Sequence, residues 1–212
     1  MGLQKTVVKV LNLGLLPYAK ALKVQQHYVR QHVESPSVLR NTVLLCEHQP
    51  VYTIGIRQTA YPAEEEERLK ALGAEFFRTN RGGLITFHGP GQLVCYPILH
   101  LGYFRKSVRW YVSELERTVI GMCARFGIKA TTSPDTGVWV GENKICAIEV
   151  QWFNNIVPCG IVGKGVTSLS RELGRDVTVL EATPALLQAF SENFHCELSF
   201  EEVDVCKMSI FN

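Results

Sequence analysis

The 212 residues carry a formal charge of +2 at pH 7, with 46% hydrophobic residues and seven cysteines. That length supports one sizeable core, so residues 1–212 are expected to form a single domain. The small charge gives no electrostatic address for nucleic acid, no apolar stretch is long enough to cross a bilayer, and no signal-peptide core opens the chain. No nucleic-acid or membrane partner is therefore expected, and the chain reads as soluble and not secreted. Cys46, Cys95, Cys123, Cys146, Cys159, Cys196 and Cys206 lack CxxC spacing, which argues against zinc and against a disulfide framework. Reduced thiols, mostly in core positions, are the default.

Thr6–Leu13 alternates like a strand, and Pro17 opens a helical run through Tyr18, Leu22 and Val29 that reaches Pro36. Thr42–Cys46 and Val51–Ile56 read as strands separated by a turn at His48-Gln49-Pro50. Pro62 followed by Glu64–Glu67 reads as a helix first turn, where acidic side chains favour the positive end of the dipole. Ala74–Arg78 and Gln92–Leu99 are strands on either side of a glycine-rich segment. Ser107 is placed to cap a helix whose apolar stripe is Val108, Tyr111, Val112, Leu115, Val119, Met122 and Phe126. Val138–Val140 and Ile145–Ile148 flank Gly141-Glu142-Asn143 as a hairpin. Thr167–Leu173 is helix-like, and Thr178–Cys196 reads as a final helix whose start Pro184 is expected to split.

The segment from Arg81 to Gln92, RGGLITFHGPGQ, concentrates four glycines, one proline and one histidine between two strands. Gly82 and Gly83 allow a close backbone approach, and the Gly89-Pro90-Gly91 turn follows His88 directly. Arg81 and His88 thus bracket backbone N–H groups suited to holding a ligand, while a histidine that fixes the loop by hydrogen bonds to backbone is an equal reading of His88. Cys159, between Pro158 and Gly160, is the one thiol set in a glycine-flanked turn ahead of a helix-like run, and Lys144 is the ammonium group that can favour its thiolate. A cysteine with a lysine suits acyl transfer. Thiolate attack exchanges one thioester for another, and a lysine can take the proton of an incoming amine.

With CEHQPVYTIG (Cys46–Gly55), DTGVWV (Asp135–Val140), KICAI (Lys144–Ile148) and VPCGIVGKGVTSL (Val157–Leu169) in the same order, the segment resembles the lipoate-biosynthesis octanoyltransferases of the biotin/lipoate protein ligase superfamily. The resemblance implies an α/β (α+β) fold: a mixed, mainly antiparallel sheet with packed helices. It implies transfer of an octanoyl group from acyl carrier protein to the lipoyl lysine of lipoate-dependent enzymes, the glycine cleavage H protein among them, in mitochondria and with no metal or nucleotide cofactor. It further implies that Cys159 carries the acyl group, that Lys144 lowers its pKa, and that Arg81, Gly82, Gly83, Leu84, Ile85, Thr86, Phe87, His88, Ala147, Ile148 and Glu149 line the substrate site.

The chain departs from the family pattern at one place. Glu149 stands where the pattern has glycine, and about twenty residues, about two strand lengths, are missing between Lys144 and Cys159. A shortened, catalytically impaired form that keeps the fold to bind an acyl group or a partner stays open beside the transferase. So do an ATP-dependent lipoate or biotin ligase, which needs no Cys159, and a cysteine hydrolase.

Overall fold

The structure is a computed structural model that describes residues 5–34, 41–55, 61–82, 84–148, 165–208 and 210. The chain folds into two compact units built from alternating segments. The first holds Met1–Gln49, Gly89–Tyr111 and Ser191–Asn212, the second Pro50–His88 and Val112–Phe190.

In the first unit β1 (Thr6–Leu16) lies between β10 (Cys196–Glu201) and β2 (Asn41–His48), both parallel to it, and β2 pairs antiparallel with β6 (Val94–Ile98). Helix α1 (Tyr18–Glu34) buries Tyr18, Ala21, Val24 and Gln25, while Val29 is largely exposed. Its Ala21 and Val24 join Leu11, Leu13, Leu16, Leu44 and Cys46 in one apolar cluster. A polar post stands beside that cluster. His48 is fully buried, its Nε2 lies 2.8 Å from the Tyr96 hydroxyl, its Nδ1 lies 3.4 Å from the Leu16 carbonyl, and Tyr18 meets its ring edge-on. The Leu16 carbonyl also accepts the Gln49 N–H, which fixes the chain as it leaves β2.

In the second unit β3 (Val51–Ile54) carries β4 (Glu75–Arg78) parallel on one side and β5 (Thr86–His88) antiparallel on the other. A separate antiparallel sheet consists of β7 (Thr131–Thr132), β8 (Val138–Val140) and β9 (Asn143–Cys146). Helix α2 (Ala63–Lys70) opens on Glu64, Glu65 and Glu66 as its sequence indicates, and Glu66 reaches Arg78 of β4 at 2.7 Å. Helix α4 (Leu169–Leu173) is capped by Ser168. No helix among the described residues is long and apolar enough to cross a membrane.

Among the described residues four of the seven strand pairings are antiparallel and the strands form three sheets, so the fold is the mixed α/β one expected. Helix α3 (Val108–Arg125) is capped by Ser107 and its apolar stripe is partly or fully buried, both as expected, and Glu114, Thr118 and Cys123 are buried beside that stripe. Polar residues enter that face because they are paired: Arg117 bonds to the Glu114 carboxylate, and the Thr118 hydroxyl donates to the Glu114 carbonyl. Several local expectations are corrected. Helix α5 (Val179–Phe194) is not split by Pro184. The carbonyl left without a proline N–H belongs to Leu180, which is 82% exposed, and the Thr183 hydroxyl satisfies the neighbouring Val179 carbonyl. The final helix stops before Cys196 because His195 takes a positive φ of 50°, and β10 follows. Strand β9 begins at Asn143, leaving Gly141 and Glu142 as a two-residue turn.

Burial pushes the thiols of Cys46, Cys123 and Cys196 from an ordinary 9.0 up to about 12, about 11 and about 11, and the Glu47 charge adds to the effect at Cys46. The folded thiols stay protonated where unfolded ones ionise. The stability they contribute is complete below about pH 9 and is lost as pH rises from there toward 11 or 12, by at most about 1.4 kcal/mol per thiol per pH unit. The urea midpoint is therefore expected to hold between pH 7 and about pH 8.5 and to fall above pH 9, with a shallower fall in Cys123→Ala. Identical profiles for the two proteins would contradict the burial argument.

Candidate active site

The glycine-rich segment starts from β4 with both the N–H and the hydroxyl of Thr79 bonded to the Ile54 carbonyl of β3. Arg81 then turns inward. It is 6% exposed, and one guanidinium nitrogen donates to the Thr53 carbonyl at 2.6 Å and to its hydroxyl at 2.9 Å. A second nitrogen donates to the Gly82 carbonyl at 2.7 Å. These charge-assisted bonds staple the loop to the middle of β3. Sequence reasoning placed Arg81 as a pocket residue, and its guanidinium shapes the loop through Thr53 and Gly82.

Leu84 and Ile85 are partly buried, and the Ile85 N–H donates to the Tyr61 hydroxyl at 3.2 Å. Thr86, Phe87 and His88 form β5, opposite Thr53, Tyr52 and Val51, an element that sequence reasoning folded into the loop. Phe87 is 47% exposed with its ring 5.1 Å from that of Tyr52, and His88 is partly buried at the strand end. After His88 the chain enters the first unit through the Gly89–Gln92 turn, where Gly91 takes φ 82° and donates its N–H to Glu47. Proline followed by a glycine at positive φ is the type II arrangement.

Lys144 lies in β9, on a different sheet of the second unit. Its backbone N–H donates to the Gly165 carbonyl, and its carbonyl accepts the Thr167 N–H. Its ammonium donates to the Thr136 carbonyl at 3.0 Å and lies 4.8 Å from the centre of the Trp139 ring. The Asp135-Thr136-Gly137 motif acts here through its backbone. The Asp135 carbonyl accepts the Trp139 indole N–H, the Thr136 carbonyl receives Lys144, and the Gly137 N–H donates to the Glu116 carboxylate. Gly137 has φ 125°, and a side chain there would come within 2.5 Å of the Cys146 carbonyl.

Cys146 is partly buried, and burial, followed by its neighbour Cys123, pushes its thiol up to about 12; the Lys144 charge offsets this only in part. Ala147 is exposed and Ile148 partly buried. Cys159, Gly83 and Glu149 lie outside the described residues. The structure thus groups Arg81, Gly82 and Leu84–His88 around β3, and Lys144, Ala147 and Ile148 on and after β9. Sequence reasoning missed Thr53, Glu116 and Trp139. Only Trp139 left a signal, standing one turn away from Lys144 in a predicted hairpin. Among the described residues no three His, Cys, Asp or Glu side chains gather as a metal site.

Two substitutions test this geometry. Arg81→Met leaves the Thr53 and Gly82 acceptors unmet and is expected to lower unfolding free energy by about 2–4 kcal/mol, with Arg81→Lys intermediate because it lacks the fork. Gly137→Ala is expected to cost about 2 kcal/mol or more, since both φ and the Cys146 carbonyl must shift. Denaturant unfolding measures both, and midpoints equal to that of the unsubstituted chain would refute the assigned contacts.

Residues 17–157 match the lipoyl protein ligase A/B catalytic domain. The chain is 64% identical to the mitochondrial octanoyl-acyl-carrier-protein:protein N-octanoyltransferase LIPT2 of Danio rerio, over 94% of this chain and 98% of the relative. It is 42% identical to the Homo sapiens protein of the same name, over 94% and 99%. The Danio alignment runs over 219 residues, whereas 94% of 212 is about 199, so about twenty aligned positions have no counterpart in this chain. Among solved structures, a bipartite lipoate protein ligase from Thermoplasma acidophilum superposes with a TM-score of 0.64 at 16% identity, over 97% of this chain and 90% of the other, a likeness of fold. The chain belongs to the lipoyl protein ligase A/B catalytic domain family, in its octanoyltransferase branch.

Proposed function

We infer that this protein is a mitochondrial octanoyltransferase of lipoate synthesis, moving an octanoyl group from acyl carrier protein to a lipoyl-domain lysine through a cysteine thioester. The observation that carries the reading is 64% identity to an octanoyltransferase across nearly the whole of both chains. The acceptors include the glycine cleavage H protein, and residues 1–212 act as one catalytic domain. Chain crossings at 49/50, 88/89, 111/112 and 190/191 support that last point, because neither unit is a continuous stretch of sequence.

Cys159 is the acyl carrier in this reading. Its thiolate attacks the octanoyl carbonyl, the carrier protein's sulfur leaves as a thiol by taking a proton from the Lys144 ammonium, and the acceptor amine then displaces Cys159 to give the amide. Lys144 thus favours the thiolate first and, neutral after that transfer, takes up the proton released by the amine. What supports Cys159 is its place in the sequence Pro158-Cys159-Gly160 and the pushed-up thiols of Cys46, Cys123, Cys146 and Cys196, which are poor nucleophiles near neutral pH. Residues Arg81–His88 with Ala147, Ile148 and Glu149 border the acyl site, Arg81 by shaping the loop.

Intact-protein mass after incubation with octanoyl carrier protein is expected to show one octanoyl adduct, absent in Cys159→Ser. An adduct that survives the substitution refutes the assignment.

The positions missing from the alignment favour a second reading for this form, namely low activity in an intact fold. Burial contributes about 0.8 kcal/mol per CH₂, so loss of a pocket wall that exposes half an octanoyl chain forfeits about 2–3 kcal/mol, roughly a hundredfold in binding. Inserting the Danio segment after Gln151 together with Glu149→Gly is expected to raise octanoyl transfer by about that factor. Equal rates would make the segment dispensable.

A further inference from the structure

We propose that Trp139 is a positioning residue for octanoyl transfer: its indole face, with the Thr136 carbonyl, holds the Lys144 ammonium in place while leaving its positive charge uncancelled. The proposal rests on the role given to Lys144 above and extends it to a residue with another task.

Trp139 and Lys144 are direct cross-strand partners in the β8–β9 hairpin, so their side chains emerge on one face. The 4.8 Å from ammonium to ring centre is within cation–π range. The ring itself is fixed, being 3% exposed with its N–H donated to the Asp135 carbonyl at 3.2 Å. The lysine is fixed at both ends, its backbone by Gly165 and Thr167 and its ammonium by Thr136. Between them the aliphatic stem passes 3.4 Å from where a side chain on residue 137 would begin.

The choice of partners is the informative part. Among the described residues no carboxylate pairs with Lys144 at ion-pair distance, and Glu116 gives Oε1 to the Gly137 N–H at 3.0 Å. A carboxylate counter-ion would hold an ammonium equally well but would cancel its field a few ångströms away. A ring quadrupole and a carbonyl dipole restrain it and leave its net charge intact. A restrained, uncancelled cation is what a nearby thiolate or oxyanion needs, and the field it offers costs no reorganisation when negative charge develops.

The test compares Trp139→Leu, Trp139→Phe and Lys144→Met by steady-state transfer from octanoyl carrier protein to a lipoyl domain. Alongside it, acetic anhydride labelling of lysines without substrate is mapped by peptide mass, and the unfolding midpoint is recorded. Trp139→Leu is expected to lower kcat about tenfold with KM within about twofold, and to speed Lys144 labelling about tenfold relative to the other lysines. Trp139→Phe keeps a π face and is expected to retain kcat within about threefold, even though both variants lose packing. Equal kcat and stability losses in the two variants, or unchanged Lys144 labelling in Trp139→Leu, overturn the proposal. Full transfer by Lys144→Met sinks the catalytic role of the lysine itself, and because labelling is read without substrate, that failure is separate from a failure of the Trp139 seat.

Discussion

Residue 137 of this chain has to be without a side chain. It has φ 125°, and a Cβ there would lie 2.5 Å from the carbonyl of Cys146 in β9. That contact lets the Thr136 carbonyl face Lys144, presents the residue 137 N–H to Glu116, and brings the lysine stem past the motif. The described part of the site near β9 is thus a backbone construction with two side chains, Lys144 and Trp139, resting on it. The loop near β3 reverses the division of labour, since there a single buried guanidinium organises the backbone around it.

Sequence periodicity located the helices well where a local signal marked an end. Glutamates at the start of α2 and Ser107 before α3 each mark a first turn, because an N-terminal signal depends on residues a few positions apart. It failed where pairing partners are distant. Strand β5 is three residues inside a glycine-rich run and exists because β3 offers an edge, and β10 exists because β1 does. The buried face of α3 also takes in two polar residues outside the apolar stripe. Glu114 and Thr118 look solvent-facing until their bonding to Arg117 and to the helix backbone is seen. Near β9, the Asp135-Thr136-Gly137 motif contributes carbonyls and an N–H, contacts that no residue pattern encodes.

Identity and superposition answer different questions for this protein. Identity of 64% with a protein of nearly equal coverage fixes the branch of the family, whereas superposition at 16% identity fixes the fold alone. The ligase-like fold therefore does not argue for ATP-dependent chemistry, since one scaffold serves several reactions and the site residues decide among them.

The parallel pairing of Thr6 with Cys196 joins strands 190 positions apart in sequence. During synthesis, the first strand leaves the ribosome long before the strand that completes its sheet exists. A long wait with an unpaired edge is the situation in which nascent chains associate wrongly. A topology with such distant contacts also folds slowly.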